Sequence, residues 1–184
     1  MGATVRILGI DPGSNATGYG VVENRGGKLV HIAHGVLRPP RGAAVAQRLE
    51  YIYRSVCEVI ASHGPDVAAI EQAFVDRSPR SALVLGQARG VALAALGASG
   101  LSVHEFNPSQ VKQAVTGSGR ATKDQVKRMV SRLLGIERVR ASDAADALAV
   151  AIRQAHGGRL EAAGVSPAPR RRRATPRVRV RVLP

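Results

Sequence analysis

Between Val5 and Leu37 three apolar stretches are separated only by tight turns, and that spacing restricts the fold more than any other feature. Val5–Asp11 reads as a buried strand, Thr17–Glu23 as a second and Lys28–Leu37 as a third, with Pro12-Gly13-Ser14-Asn15 and Gly26-Gly27 as the turns. Strands joined this closely have no room for a crossover, so they form an antiparallel meander. After Pro39-Pro40 the period changes. Val45, Leu49, Ile52, Val56, Val59 and Ile60 recur at helical spacing, which predicts a helix over Ala43–Ser62, stopped by Gly64-Pro65. Val67–Glu71 is then a short buried strand, Ser81–Gly97 a helix apolar on nearly every side, and Leu101–Phe106 a fifth strand. Asn107-Pro108 supplies a cap and a first helical residue. Thr122 and Gln125 form a capping box for a helix ending near Gly135, and Ser142 caps a last helix from Asp143 to about His156. The expected fold is α/β: a five-stranded mixed sheet flanked by helices on both faces, with the strands ending at Asp11, Glu71 and Phe106 parallel.

The 184 residues suit one domain, assigned to residues 1–158, followed by a basic tail at 159–184. Aromatics make up only 3% of the chain, so Ala, Val, Leu and Ile must fill the core. The net charge is +14, and seven arginines after Gly164, with no acid among them, carry half of it. That Pro- and Arg-rich stretch is expected to be disordered alone, although Val178–Val182 alternates like an edge strand. The body is basic even without the tail, which favours a polyanionic partner. The single Cys57 excludes an internal disulfide and reads as a packing residue. The longest apolar candidate for a membrane span, Val91–Leu101, is too short and too rich in Ala and Gly. No signal-peptide pattern opens the chain, so a cytoplasmic protein is expected.

Four acids stand out against this basic background. Asp11 and Glu71 each end an apolar strand, at the sheet edge where α/β proteins bind ligands. Asp143 and Asp146, three positions apart, share a helix face with Ala147 and Val150, so that face looks inward. Each acid alone has a plainer explanation: an Asx-turn for Asp11, a surface ion pair for Glu71, a favourable helix-dipole contact for Asp143. Together they would repel strongly unless a divalent cation lay between them, and hard cations such as Mg²⁺ prefer oxygen ligands. Two such ions about 3.5–4 Å apart activate water on one side of a phosphate and steady the leaving oxygen on the other. The five histidines show no Cys/His metal spacing, and His31 and His34, three apart on one strand, are expected to face opposite ways. Neither a nucleophile elbow nor a Gly-rich phosphate loop with its Lys is present.

Five segments, in order, resemble the RuvC family of bacterial Holliday-junction resolvases over roughly residues 4 to 157. They are Gly9-Ile10-Asp11-Pro12-Gly13-Ser14 with Thr17-Gly18-Tyr19-Gly20; Ile70-Glu71-Gln72-Ala73-Phe74; Leu85-Gly86-Gln87-Ala88-Arg89-Gly90; Gln110-Val111-Lys112-Gln113; and Asp143-Ala144-Ala145-Asp146-Ala147-Leu148-Ala149. The resemblance implies an RNase H-like fold and a homodimer that cuts two opposing strands of a four-way DNA junction symmetrically, using Mg²⁺ or Mn²⁺. It makes Asp11, Glu71, Asp143 and Asp146 the acidic quartet, and Lys112 and Lys123 the basic residues near the scissile phosphate. Phe74 becomes the aromatic residue at the junction centre, and the RuvA–RuvB branch-migration complex becomes a partner. An exposed aromatic at Phe74 would suit stacking on unpaired bases, and Arg77 and Arg80, flanking the same loop, would suit phosphates.

Three other readings remain open on sequence alone. Asp11-Pro12-Gly13 also resembles the phosphate loop of sugar kinases and actin-like ATPases, but no second related domain follows. A catalytically dead junction-binding module would not need the intact quartet. A nuclease of the same fold acting on another branched or hybrid substrate would share every acid.

The Arg-rich tail exceeds the family pattern and reads as a nonspecific DNA-binding extension. Deleting the residues after Gly164 is expected to flatten the salt dependence of DNA binding by roughly 0.9 in log–log slope for each phosphate the tail neutralises. Titrations at several salt concentrations check this, and an unchanged slope rejects it.

Overall fold

A computed structural model describes residues 4–72 and 78–161. Phe74, Arg77, the Arg-rich tail and the alternating Val178–Val182 segment lie outside the described residues. The elements run β1 (Thr4–Asp11), β2 (Thr17–Arg25), β3 (Lys28–Leu37), α1 (Val45–His63), β4 (Val67–Glu71), α2 (Pro79–Ala98), β5 (Ser102–Phe106), α3 (Pro108–Thr116), α4 (Lys123–Leu134) and α5 (Ser142–Glu161). The sheet order is β3-β2-β1-β4-β5. The first three strands form the expected antiparallel meander, and β4 and β5 add to β1 in parallel.

Strand alternation divides the core in two. Leu8, Ile10, Val21, Ala68 and Ile70 meet Ile52 and Val56 of α1 and Ala88, Ala92 and Leu96 of α2. Ile7, Val22 and Ala69 meet the side of α5 together with Val111 of α3 and Val130 of α4. Gly9 and Asp11 share the face of Ile7, because side chains two apart along a strand point the same way. The fold therefore aims Asp11 at α5.

α5 lies unusually close to the sheet, and three glycines permit it. A Cβ placed on Gly9 would sit 2.1 Å from the Ala147 carbonyl oxygen. One on Gly18 would sit 1.9 Å from the Asp143 carbonyl oxygen, and one on Gly20 would meet the Leu148 side chain at 2.7 Å. On the helix, Ala144, Ala147, Leu148 and Ala151 are fully buried. Helix backbone thus packs against strand backbone, with almost no side chain between them.

Four local features differ from the sequence reading. β3 pairs Ala33 with Val21 but His31 with Val22, so Ile32 is an extra residue. This bulge resets the alternation and puts both histidines on one face, with His31 Nε2 2.8 Å from His34 Nδ1. α2 begins two residues early, because Ser78 caps it and Pro79 takes the first position. α5 continues through Gly157 and Gly158 to Glu161, since glycine weakens a helix without breaking it. Among the described residues one helix, α2, is long and apolar enough to cross a membrane by length and composition. The expectation of no such stretch overlooked how few charges separate Pro79 from Ala98. Ala88, Ala92, Ala95 and Leu96 of α2 nevertheless pack in the core, and Arg89 ties the helix to the sheet through the Glu71 carbonyl and the Glu105 carboxylate.

Gly9→Ala or Gly18→Ala must push α5 off the sheet and is expected to cost about 3 kcal/mol or more. Gly97→Ala, with nothing within 4 Å of its new methyl group, is expected to be neutral or to stabilise by roughly 0.5 kcal/mol. Denaturant unfolding of the three variants measures the contrast.

Candidate active site

Asp11 and Glu71 end the neighbouring parallel strands β1 and β4. The register pairs Gly9 with Ala69 and Ile10 with Ile70, so the next step along sets the two carboxylates side by side. Asp143 and Asp146 stand in the first turns of α5. Gly18, directly opposite Asp11 in the sheet, is also the residue that the Asp143 carbonyl rests against. One close approach therefore carries the start of α5 to the end of β1.

Asp11, Glu71 and Asp146 line a single cavity of about 300 Å³ with Lys112 of α3 and Lys123 of α4. Asp143 does not line this cavity, and its Oδ2 lies 3.9 Å from the Arg38 guanidinium. Asp146 is drawn toward Lys123, whose Nζ lies 3.8 Å from its Oδ2. Lys112 and Lys123 reach these positions because capped helices start beside the sheet edge. Asn107 accepts a hydrogen bond from the Gln110 N–H, and Thr122 accepts one from the Gln125 N–H, as the two capping boxes require.

The electrostatics show how closely the acids are coupled. Burial pushes the Asp11 carboxyl up to about 8, reinforced by the charges of Glu71, Asp146 and Asp143 and opposed by Lys123. Burial also pushes Glu71 up to about 7; Asp146 adds to the rise, while Lys123 and Lys112 oppose it. Asp146 is raised by burial as well, against the pull of Lys123, Lys127 and Lys112. These carboxylates hold more charge than their own fold can comfortably solvate.

All four acids offer oxygen donors, with no His or Cys among them, a set that suits a hard cation such as Mg²⁺ or Mn²⁺. The grouping is looser than a closed ligand cage. Among the described residues no three His, Cys, Asp or Glu side chains converge tightly enough to hold an ion. Asp143 lies instead beside Arg38, and Asp146 beside Lys123.

The remaining candidates fall as follows. Lys112 is half-buried and Lys123 exposed, both at the cavity. Arg80 is exposed in the first turn of α2. Phe74 and Arg77 lie outside the described residues. Sequence reasoning missed Arg38, Arg89 and Lys127. Lys127 was within reach, since it follows Lys123 by four residues on one helix face. Arg89 lies within the third family-like segment but was given no role, and Arg38 gave no signal, because its partner Asp143 is distant along the chain.

Comparison with known proteins gives the family and the fold. The family model described as "Crossover junction endodeoxyribonuclease RuvC" matches residues 7–154. A crossover junction endodeoxyribonuclease RuvC from Hyphomonas neptunium is 54% identical over 156 residues, covering 85% of this chain and 93% of that protein. The structure titled "T. thermophilus RuvC in complex with Holliday junction substrate" superposes with a TM-score of 0.80 at 35% identity, covering 85% of this chain and 96% of that one. The yeast mitochondrial Holliday junction resolvase Ydc2 shares the fold at 13% identity, with a TM-score of 0.61 over 82% of this chain and 78% of that one.

Because Asp11 and Glu71 bind their protons more tightly in the folded chain than in the unfolded one, the metal-free protein loses stability as pH rises from about 4 to about 8. Glu23, held below its ordinary range chiefly by its hydrogen bond from Arg6, acts in the opposite sense but only at lower pH. Asp11→Asn is expected to flatten the decline and to be more stable than the parent above pH 8. Melting curves in EDTA across this range check the sign, and parallel curves for the two proteins reject it.

Proposed function

This chain belongs to the RuvC family of crossover junction endodeoxyribonucleases, and we propose that it cuts opposing strands of a four-way DNA junction, with Asp11, Glu71, Asp143 and Asp146 as its cation ligands. One observation carries the reading. Three of those acids share a cavity with Lys112 and Lys123 at the carboxyl edge of the sheet, in a chain of net charge +14. Divalent cations bound there, two per site in the proposal, supply the positive charge that activates a water and steadies the leaving oxygen. The protein's own groups do the rest. Asp11 and Glu71, fixed by adjacent strands, orient whatever they ligate against the scissile phosphate. Lys112 and Lys123 approach from two other helices and offset charge that builds on the phosphoryl oxygens. The half-buried setting of Asp11 and Asp146 limits bulk water and strengthens each of these interactions.

Junction recognition falls to the segment after β4. Phe74 is assigned to stacking on bases at the junction centre, with Arg77 and Arg80 holding nearby phosphates; the exposure of Arg80 beside this segment supports that placement. The homodimer is assigned to the outer face of α2. Leu83, Gly86, Gly90, Ala94 and Gly97 form an exposed stripe without a charge, and Leu83 is 65% exposed. Two such sites in one dimer would cut the junction symmetrically. The family resemblance also supports cytoplasmic residence and a partnership with the RuvA–RuvB branch-migration complex.

Incubation with a synthetic immobile four-way junction tests the proposal. Mg²⁺ or Mn²⁺ is expected to yield paired nicks in opposing strands, and EDTA to abolish them. Asp11→Asn is expected to lose at least about 100-fold in cleavage rate while keeping junction affinity. If Asn at this position cuts as well as Asp, the site is misassigned.

A further inference from the structure

The geometry points to a second phosphate-binding site: Arg38, Arg41 and Arg48 line a pocket that grips the backbone of the DNA strand just beyond the phosphate under attack. The inference deepens the junction-cutting reading and rests on it. The pocket measures about 430 Å³, and Asn15 is its other polar side chain. Among the described residues no carboxylate lines it, although Arg38 also lies 3.9 Å from Asp143 Oδ2. Three guanidinium groups around one space would repel each other without an anionic occupant, and their planar forks match phosphate oxygens.

The pocket is built in advance. Arg48 donates from one terminal nitrogen to the Ser14 carbonyl at 2.5 Å and to Asn15 Oδ1 at 2.8 Å. That fixes the guanidinium and leaves its other N–H groups for a ligand. Arg41 stands at the apex of a tight turn. The Ala43 N–H donates to the Pro40 carbonyl at 3.3 Å, and Gly42 takes φ +75°, a conformation that glycine adopts without strain. Pro39 and Pro40 stiffen the approach to this turn, and Pro39 is buried. Among the described residues Arg41 makes no ion pair, in contrast to Arg54 of α1, which pairs with Glu50 and Glu58. A charge held on a stiff turn, with no ion pair among the described residues, is free to meet an external anion.

Location identifies the ligand. β3 ends at Leu37 beside Thr17, on the edge where β1 delivers Asp11 opposite Gly18. Arg38 follows at once and reaches within 3.9 Å of Asp143 Oδ2. The pocket thus starts at the outer limit of the acidic cluster and runs away from it along the β1–β2 turn. A single phosphate at the carboxylates cannot also fill this space. A phosphodiester strand can, with one phosphate at the acids and a neighbouring one among the arginines. The site gives the strand a direction across the sheet edge, which the acids alone do not.

Arg41→Ala and Arg41→Gln in the full-length protein test the site, and neither disturbs an interaction within the fold. Binding to an immobile four-way junction is measured in EDTA at several salt concentrations. Both variants are expected to bind several-fold more weakly, with a log–log salt slope smaller by roughly 0.9. Arg54→Ala is expected to leave affinity and slope unchanged. A scan of single methylphosphonate linkages near the cut should then find one neutral phosphate that weakens the wild type but makes no further difference to Arg41→Ala. Affinity and slope equal to wild type in the Arg41 variants, or the same methylphosphonate penalties in both proteins at every position, would overturn the strand site. A thermal shift by inorganic phosphate that Arg41→Ala lacks, together with unchanged junction affinity and slope, would assign the pocket to a free anion and overturn it too. Wild-type cleavage of the same junction with Mg²⁺ tests the nuclease reading separately, and its absence would sink that reading whatever the Arg41 variants do.

Discussion

The backbone of α5 rests directly on β1 and β2, because Gly9, Gly18 and Gly20 put no side chain in its way. The rest of the molecule depends on that close approach. It carries Asp143 and Asp146 to the strand ends that hold Asp11 and Glu71, although more than seventy positions separate the two pairs along the chain. It also buries Ala144, Ala147, Leu148, Ala151 and Ile152 completely, so a basic, aromatic-poor sequence still builds a dense core. Small residues on both surfaces are the means, as short-range packing rewards close approach.

This packing creates an electrostatic difficulty that defines the protein. Carboxylates at the end of a buried sheet are poorly solvated, and they raise one another further. The fold surrounds them with Lys112, Lys123 and Lys127 on one side and Arg38 on the other, but it does not neutralise them. In the proposed reaction, bound cations would relieve the acids, and DNA phosphates the arginines and lysines. The arginine pocket and the fourth acid are linked through the Asp143–Arg38 pair, outside the cavity that the other three acids line.

Much of this is legible in the residues alone. The meander, the two parallel additions, the Asn107 cap and the Thr122 capping box follow from turn residues and periodicity, because those rules act over a few residues. The four acids are legible for the same reason, each at the end of a strand or on one helix face. The differences arise where tertiary packing changes a local rule. The bulge at Ile32 overturns the alternation that would separate His31 from His34. α5 passes through Gly157 and Gly158, where the local rule expects a stop. Arg38, Arg41 and Arg48 look like ordinary basic residues until the β3–α1 turn folds back on Asn15.

What the sequence determined by itself was the list of elements, the acids that close β1 and β4, and the family. Each of these is written in local spacing and in ordered motifs. Tertiary structure alone decided that the Asp143 carbonyl meets Gly18, that Asp11, Glu71 and Asp146 share one cavity while Asp143 turns to Arg38, and that three arginines line one pocket at a tight turn. Those outcomes depend on distances between residues far apart in the chain, which are set by how closely two backbones can approach and by how charges settle once the core has formed.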